Sequence, residues 1–394
     1  MNFQKVILTV FRKSAKSLQI VLNELTELIP IVGGVTAGAY SRARHKFRHT
    51  AFIELSKDCI IKPFYQEDIK RHLGFRLLAI DGSLVRVPDT ETTREAFGTT
   101  KIIDALSKKT VFVQTRCSVL YDVENNLCLD GLIAPRKTHE RELAKIHLEN
   151  TKNGDLLLLD RGYPGYEFLS AVVDTGADFL ARCSGVFSKT FDFSKSSDIT
   201  VKLKKPYRYR EDNSLPLMQE FRALKIKLST GEDEILVTSL LSKKLYPKDI
   251  FKELYYKRWG VETFYKIMKS RLALENFTGT SAEAVRQDFF ATILITNLET
   301  IFTADVNQEL ENKNTDLQQQ VNKNISFNVI KNKAFELFDS NEDIDTILAE
   351  MEELFRQTPT VVRPDRIHPK RHHECNRGRD PKIYHHRAKH KINF

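Results

Sequence analysis

Asp155-Leu156-Leu157-Leu158-Leu159-Asp160 reads as a strand with no face left for water. Four consecutive leucines bounded by turn formers are the pattern of a central strand in a parallel or mixed sheet, covered on both sides. Asp160 stands at its C-terminal end, followed by Arg161-Gly162-Tyr163-Pro164. Upstream, the apolar run Phe75 to Ile80 ends at Asp81, where Gly82 and Ser83 are expected to turn the chain. Between the two lie strand-like segments, Thr110 to Tyr121 and Leu127 to Pro135, joined by a polar Glu124-Asn125-Asn126 turn, and then a helix over His139 to Asn150. A helix over Tyr166 to Thr175 and a strand over Ala177 to Arg182 follow. The whole is an α/β pattern with two aspartates at strand ends, where ligand sites of open α/β sheets gather. Taken singly, each aspartate is equally a turn or cap residue.

Working outward, residues 184–240 are polar and rich in Ser and Lys. Alternation in Phe187 to Phe193, Thr200 to Lys204 and Arg222 to Leu228 marks a β-rich insertion that returns to the core through Glu234 to Leu240. Pro247 to about Leu274 then reads as one long helix. On it Tyr255, Arg258, Glu262 and Lys269 fall at offsets that place them within about 60° of one another around the axis. One carboxylate is thus flanked by two cations and a phenol. The plain alternative is a solvated face. Tyr256, Trp259, Val261, Phe264, Tyr265 and Met268 around the stripe imply instead a helix packed over most of its circumference, where charge is costly unless it lines a site. Ser281 to Thr303 is an apolar helix, Asp305 to Asn324 a polar linker, and a helix pair spans about Phe327 to Phe355.

At the N-terminus, apolar positions Leu18, Val21, Leu22, Leu25 and Leu28 have helical spacing, Gly33 and Gly34 break the helix, and Thr36 caps the next. That next helix, Ala37 to Arg48, carries Arg42, Arg44, His45, Lys46 and Arg48. Helix, glycine turn and basic helix resemble a helix-turn-helix, which would set Arg42, Arg44 and Lys46 against DNA; an ordinary basic amphipathic helix is the alternative. The other end, 363–394, holds ten Lys or Arg against three acids and six of the eleven His. It reads as an arm that neutralises phosphates, with a metal cluster at His372, His373, Cys375, His385 and His386 as the lesser alternative, for want of regular spacing.

With 41% hydrophobic and 29% charged residues over 394 positions, the chain has the composition of a soluble globular protein of two or three domains. The apolar run Val6 to Phe11 is too short for a signal sequence, and the expected location is cytoplasmic, on the nucleoid. Five scattered cysteines with no C-x-x-C pair argue for reduced thiols. The net charge of +9 points to an anionic partner.

Two Asp and one Glu beside cations suit a pair of divalent ions that stabilise the attacking and leaving oxygens of an in-line displacement at phosphorus. Magnesium, which prefers carboxylates, is the natural ion, with manganese as substitute. Arg258 and Lys269 are placed to hold neighbouring phosphates, and Tyr255 to donate to one.

Tyr-x(2)-Arg-x(3)-Glu-x(6)-Lys, filled by Tyr255, Arg258, Glu262 and Lys269, resembles the signature of bacterial DDE transposases of the insertion-sequence-four family. Asp81-Gly82-Ser83, Asp160-Arg161-Gly162-Tyr163 and Leu274-Glu275-Asn276-Phe277-Thr278-Gly279 agree with it over about residues 75 to 300. The resemblance implies an RNase H-like core with Asp81, Asp160 and Glu262 as catalytic metal ligands. It implies cleavage of transposon ends and transfer of their 3′ hydroxyls to target DNA within a homodimeric synapse. Tyr255, Arg258, Lys269 and Arg161 would contact double-stranded DNA. Some relatives hold a flipped base against a Trp of the insertion; this insertion has Phe187, Phe191, Phe193, Tyr207 and Tyr209 instead. The expected division is 1–70 helical and DNA-binding, 71–183 and 241–304 catalytic core, 184–240 β insertion, 305–360 C-terminal helices and 361–394 basic tail. Two readings compete with it, an inactive or domesticated DNA-binding protein and a metal-dependent nuclease without strand transfer.

Overall fold

The computed structural model describes residues 3–13, 17–28, 34–103, 109–185, 189, 191–228, 231–339 and 343–362. The basic tail with its His and Cys residues, Gly33 and Phe187 lie outside the described residues. The chain forms two compact units. One, here the sheet unit, is Pro63–Leu84 with Arg116–Lys266; the other, the helical unit, is Met1–Lys62, Val85–Thr115 and Ile267–Phe394.

In chain order the strands are β1 (Arg76–Val87), β2 (Thr99–Ile103), β3 (Lys109–Asp122), β4 (Leu127–Pro135), β5 (Asp155–Leu159), β6 (Asp178–Arg182), β7 (Asp198–Lys204), β8 (Met218–Lys227) and β9 (Asp233–Thr238). In the sheet unit the order runs β3-β1-β5-β6-β9-β8-β7, and β4 also pairs with β3. The four-leucine strand is central as its composition requires. β5 is buried throughout and parallel to both neighbours, from Arg76↔Asp155 to Ile80↔Leu159 on one side and from Leu156↔Asp178 to Leu159↔Ala181 on the other. A bidentate ion pair at the first step, Arg76 to Asp155 at 2.8 and 2.7 Å, pins that register.

Alternation then sorts the side chains. Leu78, Ile80, Leu157, Leu159, Phe179, Ala181, Phe221, Ala223 and Val237 share one face and pack with Ala144, Phe168, Leu169 and Val172 of the helices Glu140–His147 and Tyr166–Asp174. Each such leucine contributes about 2 kcal/mol through burial. Residues of opposite parity face the other way, where fully buried Arg222 stacks at 5.1 Å on Phe251 of the helix Ile250–Tyr256.

Several expectations are corrected. β1 does not turn at Gly82 and Ser83 but runs through them to Val87. The long helix is broken into Ile250–Tyr256 and Trp259–Ser270, because at Lys257 and Arg258 the bonds Arg258 N to Tyr255 O and Val261 N to Arg258 O tighten the chain to a three-residue repeat. Of the large residues expected to pack around it, Val261, Phe264, Tyr265 and Met268 are buried, whereas Tyr256 and Trp259 are exposed. The return to the core expected over Glu234 to Leu240 is β9, which lies between β6 and β8, so that the β-rich stretch extends the sheet.

In the helical unit, Ala282–Phe302, capped by Ser281, is the central helix, and Asn297 donates to Ser56 Oγ at 3.0 Å from it. β2 pairs there with the start of β3, from Thr99↔Val113 to Ile103↔Lys109. The polar linker is not unstructured: Ala304–Glu311 is a helix, since Val306 and Leu310 join a buried cluster with Ile330, Ile347, Met351 and Phe355. The basic helix spans Ala37–His45, capped by Thr36 as expected, and stops short of Arg48. No single described helix is long and apolar enough to cross a membrane; Ala282–Phe302 and Ala304–Glu311 pass that test only together, bent by 48°.

Candidate active site

Pairing of β1 with β5 ends at Ile80↔Leu159, so Asp81 and Asp160 occupy the next step of two in-register parallel strands. Partners in such a register lie about 4.8 Å apart and point to the same face. Both have the parity of Leu77, Ala79, Leu156 and Leu158, opposite to the helix-covered face formed by Leu78 and Leu157.

Glu262 reaches the same region from the helix Trp259–Ser270. Tyr265, three residues on, donates to the Asp81 carbonyl at 3.1 Å, and Phe264 packs on Tyr121 with ring centroids 4.7 Å apart. The charges confirm the proximity. Burial pushes the Asp81 carboxyl up to about 6; the Gly82 amide and Arg258 oppose this, and Glu262 and Asp160 add to it.

Arg258 is the cation of the site. It donates from Nη2 to Glu262 Oε1 at 2.6 Å with only 4% of its side chain exposed, and lies over the rings of Tyr255 and Trp259 at 5.7 and 5.5 Å. Asp160 Oδ1, Arg258 Nε, Tyr255 Oη and Tyr163 Oη are buried with no hydrogen-bond partner. Each such group costs about 1–3 kcal/mol, and four in one neighbourhood mark a place built for something else to bind. An orphan carboxylate oxygen beside a second carboxylate fits a hard cation; orphan N–H and O–H donors fit an anion. As they stand, no three His, Cys, Asp or Glu side chains among the described residues are grouped closely enough to hold one metal ion.

The remaining expected residues divide. Arg161 is exposed beside Asp160. Lys269 is half-buried, seven residues beyond Glu262 on the same helix. Arg42 and Lys46 are exposed. Arg44 is not available to DNA: it is buried and donates to Gln287 Oε1 at 2.7 Å, Thr278 Oγ1 at 2.8 Å and Asp288 Oδ1 at 2.8 Å. Among the insertion's aromatics, Phe191 is buried and Tyr209 donates to Glu167, while Tyr207 is 77% exposed with Arg210 stacked on it.

Sequence reasoning missed the support behind Asp81. Asp130 Oδ2 meets His147 Nδ1 at 2.6 Å, His147 Nε2 meets Ser118 Oγ at 3.0 Å, and Ser118 reaches towards the Asp81 carbonyl at 3.5 Å. Ser118 and His147 are fully buried, so this Asp-His-Ser line is a brace and not a nucleophile.

Residues 72–298, more than half of the chain, match the family model described as the transposase DDE domain. The transposase InsG for insertion sequence element IS4 of Escherichia coli is 25% identical over 232 residues, 57% of this chain and 51% of InsG. The protein y4zB of Sinorhizobium fredii is 24% identical over 155 residues, 36% of this chain and 41% of y4zB. A cryo-electron microscopy structure of the piggyBac transposase synaptic complex with hairpin DNA overlaps 90% of this chain and 75% of its own at a TM-score of 0.45 and 8% identity. The chain spans about half the length of the curated relatives it matches. With the motifs and the in-register aspartates, the match places this chain in the DDE-domain transposase family.

Proposed function

We propose that this protein is a divalent-metal-dependent transposase that binds the ends of an insertion sequence, cleaves them and joins their 3′ ends to target DNA. The reading takes the sheet unit as an RNase H-like core and Asp81, Asp160 and Glu262 as the residues that hold two magnesium ions, with manganese as substitute. The observation that carries it is the pair Asp81 and Asp160, each directly after the last register pair Ile80↔Leu159 of β1 and β5, with Asp160 Oδ1 buried and unsatisfied. The bound ions would supply the positive charge that stabilises the attacking and leaving oxygens at phosphorus.

The protein's own groups do the rest. Arg258 holds Glu262 in place and keeps Nε for a phosphate oxygen, and Tyr255 offers its hydroxyl beside it. Arg161, Lys269, Arg42 and Lys46 are the remaining DNA contacts of this reading, positioning the duplex by its phosphates. Two copies on two ends form the synapse.

The test is cleavage of a labelled duplex carrying the element's own end, in magnesium, in calcium, and with Asp81→Ala or Glu262→Gln. End-specific nicking that needs magnesium and vanishes in both variants, with end binding kept, is the expected result. Binding without cleavage by the unaltered protein would leave a DNA-binding protein, and cutting of duplexes lacking the ends would leave a nuclease.

A further inference from the structure

The alternation that sets Asp81 and Asp160 on one face of the sheet sets a cation there too. Arg182 ends β6 and directly follows Ala181, the partner of Leu159 in the last register pair of β5 and β6, just as Asp160 directly follows Leu159. Phe179 and Ala181 belong to the helix-covered face, so Arg182 has the opposite parity and shares the face of Asp160. Neighbouring strands lie about 4.8 Å apart. Because β5 runs between β1 and β6, the three strands present Asp81, Asp160 and Arg182 in a row, with the arginine on the side of Asp160 away from Asp81.

Arg182 is bonded unlike the structural arginines of the same sheet. Arg76 and Arg222 are buried, and each grips an aspartate with two nitrogens, Asp155 at 2.8 and 2.7 Å and Asp198 at 2.9 and 2.7 Å. The Arg182 side chain is instead 40% exposed and makes one ion pair among the described residues, from Nε to Glu234 Oε1 of β9 at 2.9 Å. Glu234 lies on the same face, since Ile235 and Val237 pack into the helix-covered cluster. It holds the guanidinium by one edge and leaves the Nη groups without an acceptor. Two other donors of this region lack a partner, Arg258 Nε and the Tyr255 hydroxyl. That hydroxyl, raised above its ordinary value chiefly by burial, also feels the charges of Arg258, Asp160, Glu234 and Arg182. Donors without acceptors beside a carboxylate are arranged for an anion.

We infer that Arg182 binds a backbone phosphate of the DNA substrate next to the one being attacked, on the side of Asp160 away from Asp81. The inference rests on the DNA-cleaving reading above and adds a contact outside Tyr255, Arg258, Lys269 and Arg161. Shape and charge agree with it. A planar fork with its Nε edge on a carboxylate still offers two N–H groups to a phosphate, which a lysine at the same place could not match.

The test is end binding by the full-length protein in calcium, read from the anisotropy of a labelled duplex carrying the element's own end, with one phosphate at a time replaced by an uncharged methylphosphonate. Arg182→Gln is expected to weaken binding to the unmodified duplex about tenfold and to lower the slope of log affinity against log salt by about one. The decisive sign is a single phosphate beside the cleavage site whose neutralisation weakens the unaltered protein but costs Arg182→Gln nothing further, because the contact is already gone. Equal losses at every phosphate in the two proteins overturn the inference. Should Arg182→Gln fail to fold, Arg182→Lys is scanned in its place. A smaller loss at that same phosphate is then expected, and a scan identical to that of the unaltered protein refutes it. An unaltered protein with no preference for the element's end would overturn the DNA-end reading itself, and this contact with it.

Discussion

Arg44 stands in a short helix with Arg42 and His45, next to Lys46 and Arg48, yet only its side chain is withdrawn from solvent. Its partner Asp288 also accepts from the Thr278 hydroxyl at 2.7 Å, so the pair is hydrogen-bonded on both sides. Removing one member of a buried pair strands the other, so Arg44→Ala is expected to cost about 3–5 kcal/mol in denaturant unfolding. Arg42→Ala, on the exposed face, is expected to change stability by no more than about 0.5 kcal/mol. Equal unfolding midpoints for the two variants would refute the buried role. Nothing local distinguishes these arginines in the sequence, because the partner that buries Arg44 lies 244 residues away.

At the scale of elements, the segment from Leu274 to Gly279 leads into the central helix Ala282–Phe302. A Cβ at Gly279 would lie 2.4 Å from the Ala284 Cβ, closer than any real contact, with Arg44 Nη1 at 3.4 Å. Gly279→Ala must therefore move the start of that helix, and about 1–3 kcal/mol of destabilisation is expected, read as a lowered unfolding midpoint with an unchanged denaturant slope. An unchanged midpoint would show that the helix start yields freely.

The same scale shows what a sequence can and cannot disclose. The β3–β4 hairpin was legible, because Asp122 Oδ1 accepts from the Glu124 and Asn125 amides and Asn126 takes φ of +55°, a conformation its residue type tolerates. The four-leucine strand was legible because complete burial leaves no other pattern. The continuation of β1 through Gly82 and Ser83 was not, since glycine and serine after an aspartate are the usual marks of a turn. Nor was the break before Trp259, where two tightened hydrogen bonds rotate Tyr255 and Arg258 relative to Glu262 and a regular helical period does not hold. Asp81, Asp160, Arg258 and Glu262, singled out by their sequence pattern, nevertheless fall together in the sheet unit.

For the molecule as a whole, buried positive charge also has to be housed. Lys13 Nζ lies 3.2 Å from the Leu274 carbonyl and 5.6 Å from the Phe277 ring centre, and burial pulls its ammonium down to about 8, with Asp288 partly offsetting this. Burial pulls Lys331 down to about 8 likewise. Since the folded value is below the ordinary 10.5, the fold disfavours the charged form. The penalty is present in full below about pH 8 and disappears as the unfolded chain also loses its proton near 10.5. Lys13→Met is thus expected to raise stability at neutral pH, on the order of 1 kcal/mol, with the advantage shrinking between pH 8 and 10.5. Thermal unfolding across that range checks it; an advantage that does not shrink would place the ammonium in water.

The alternation of the two units along the chain bears on the order in which the protein is made. By the time Lys266 has left the ribosome, every residue of the sheet unit has been synthesised, Asp81, Asp160 and Glu262 included. The first 62 residues have no such completion: their apolar helices must wait for Ala282–Phe302, the helix that shares their unit. During that interval Val6, Leu8, Phe11 and Phe52 lack their final cover, a stretch of synthesis in which chaperone capture and aggregation compete with folding. A gene copy cut short after the codon for Glu262 would still encode all three acids, but its product would be left with an opening segment that has nothing to fold against.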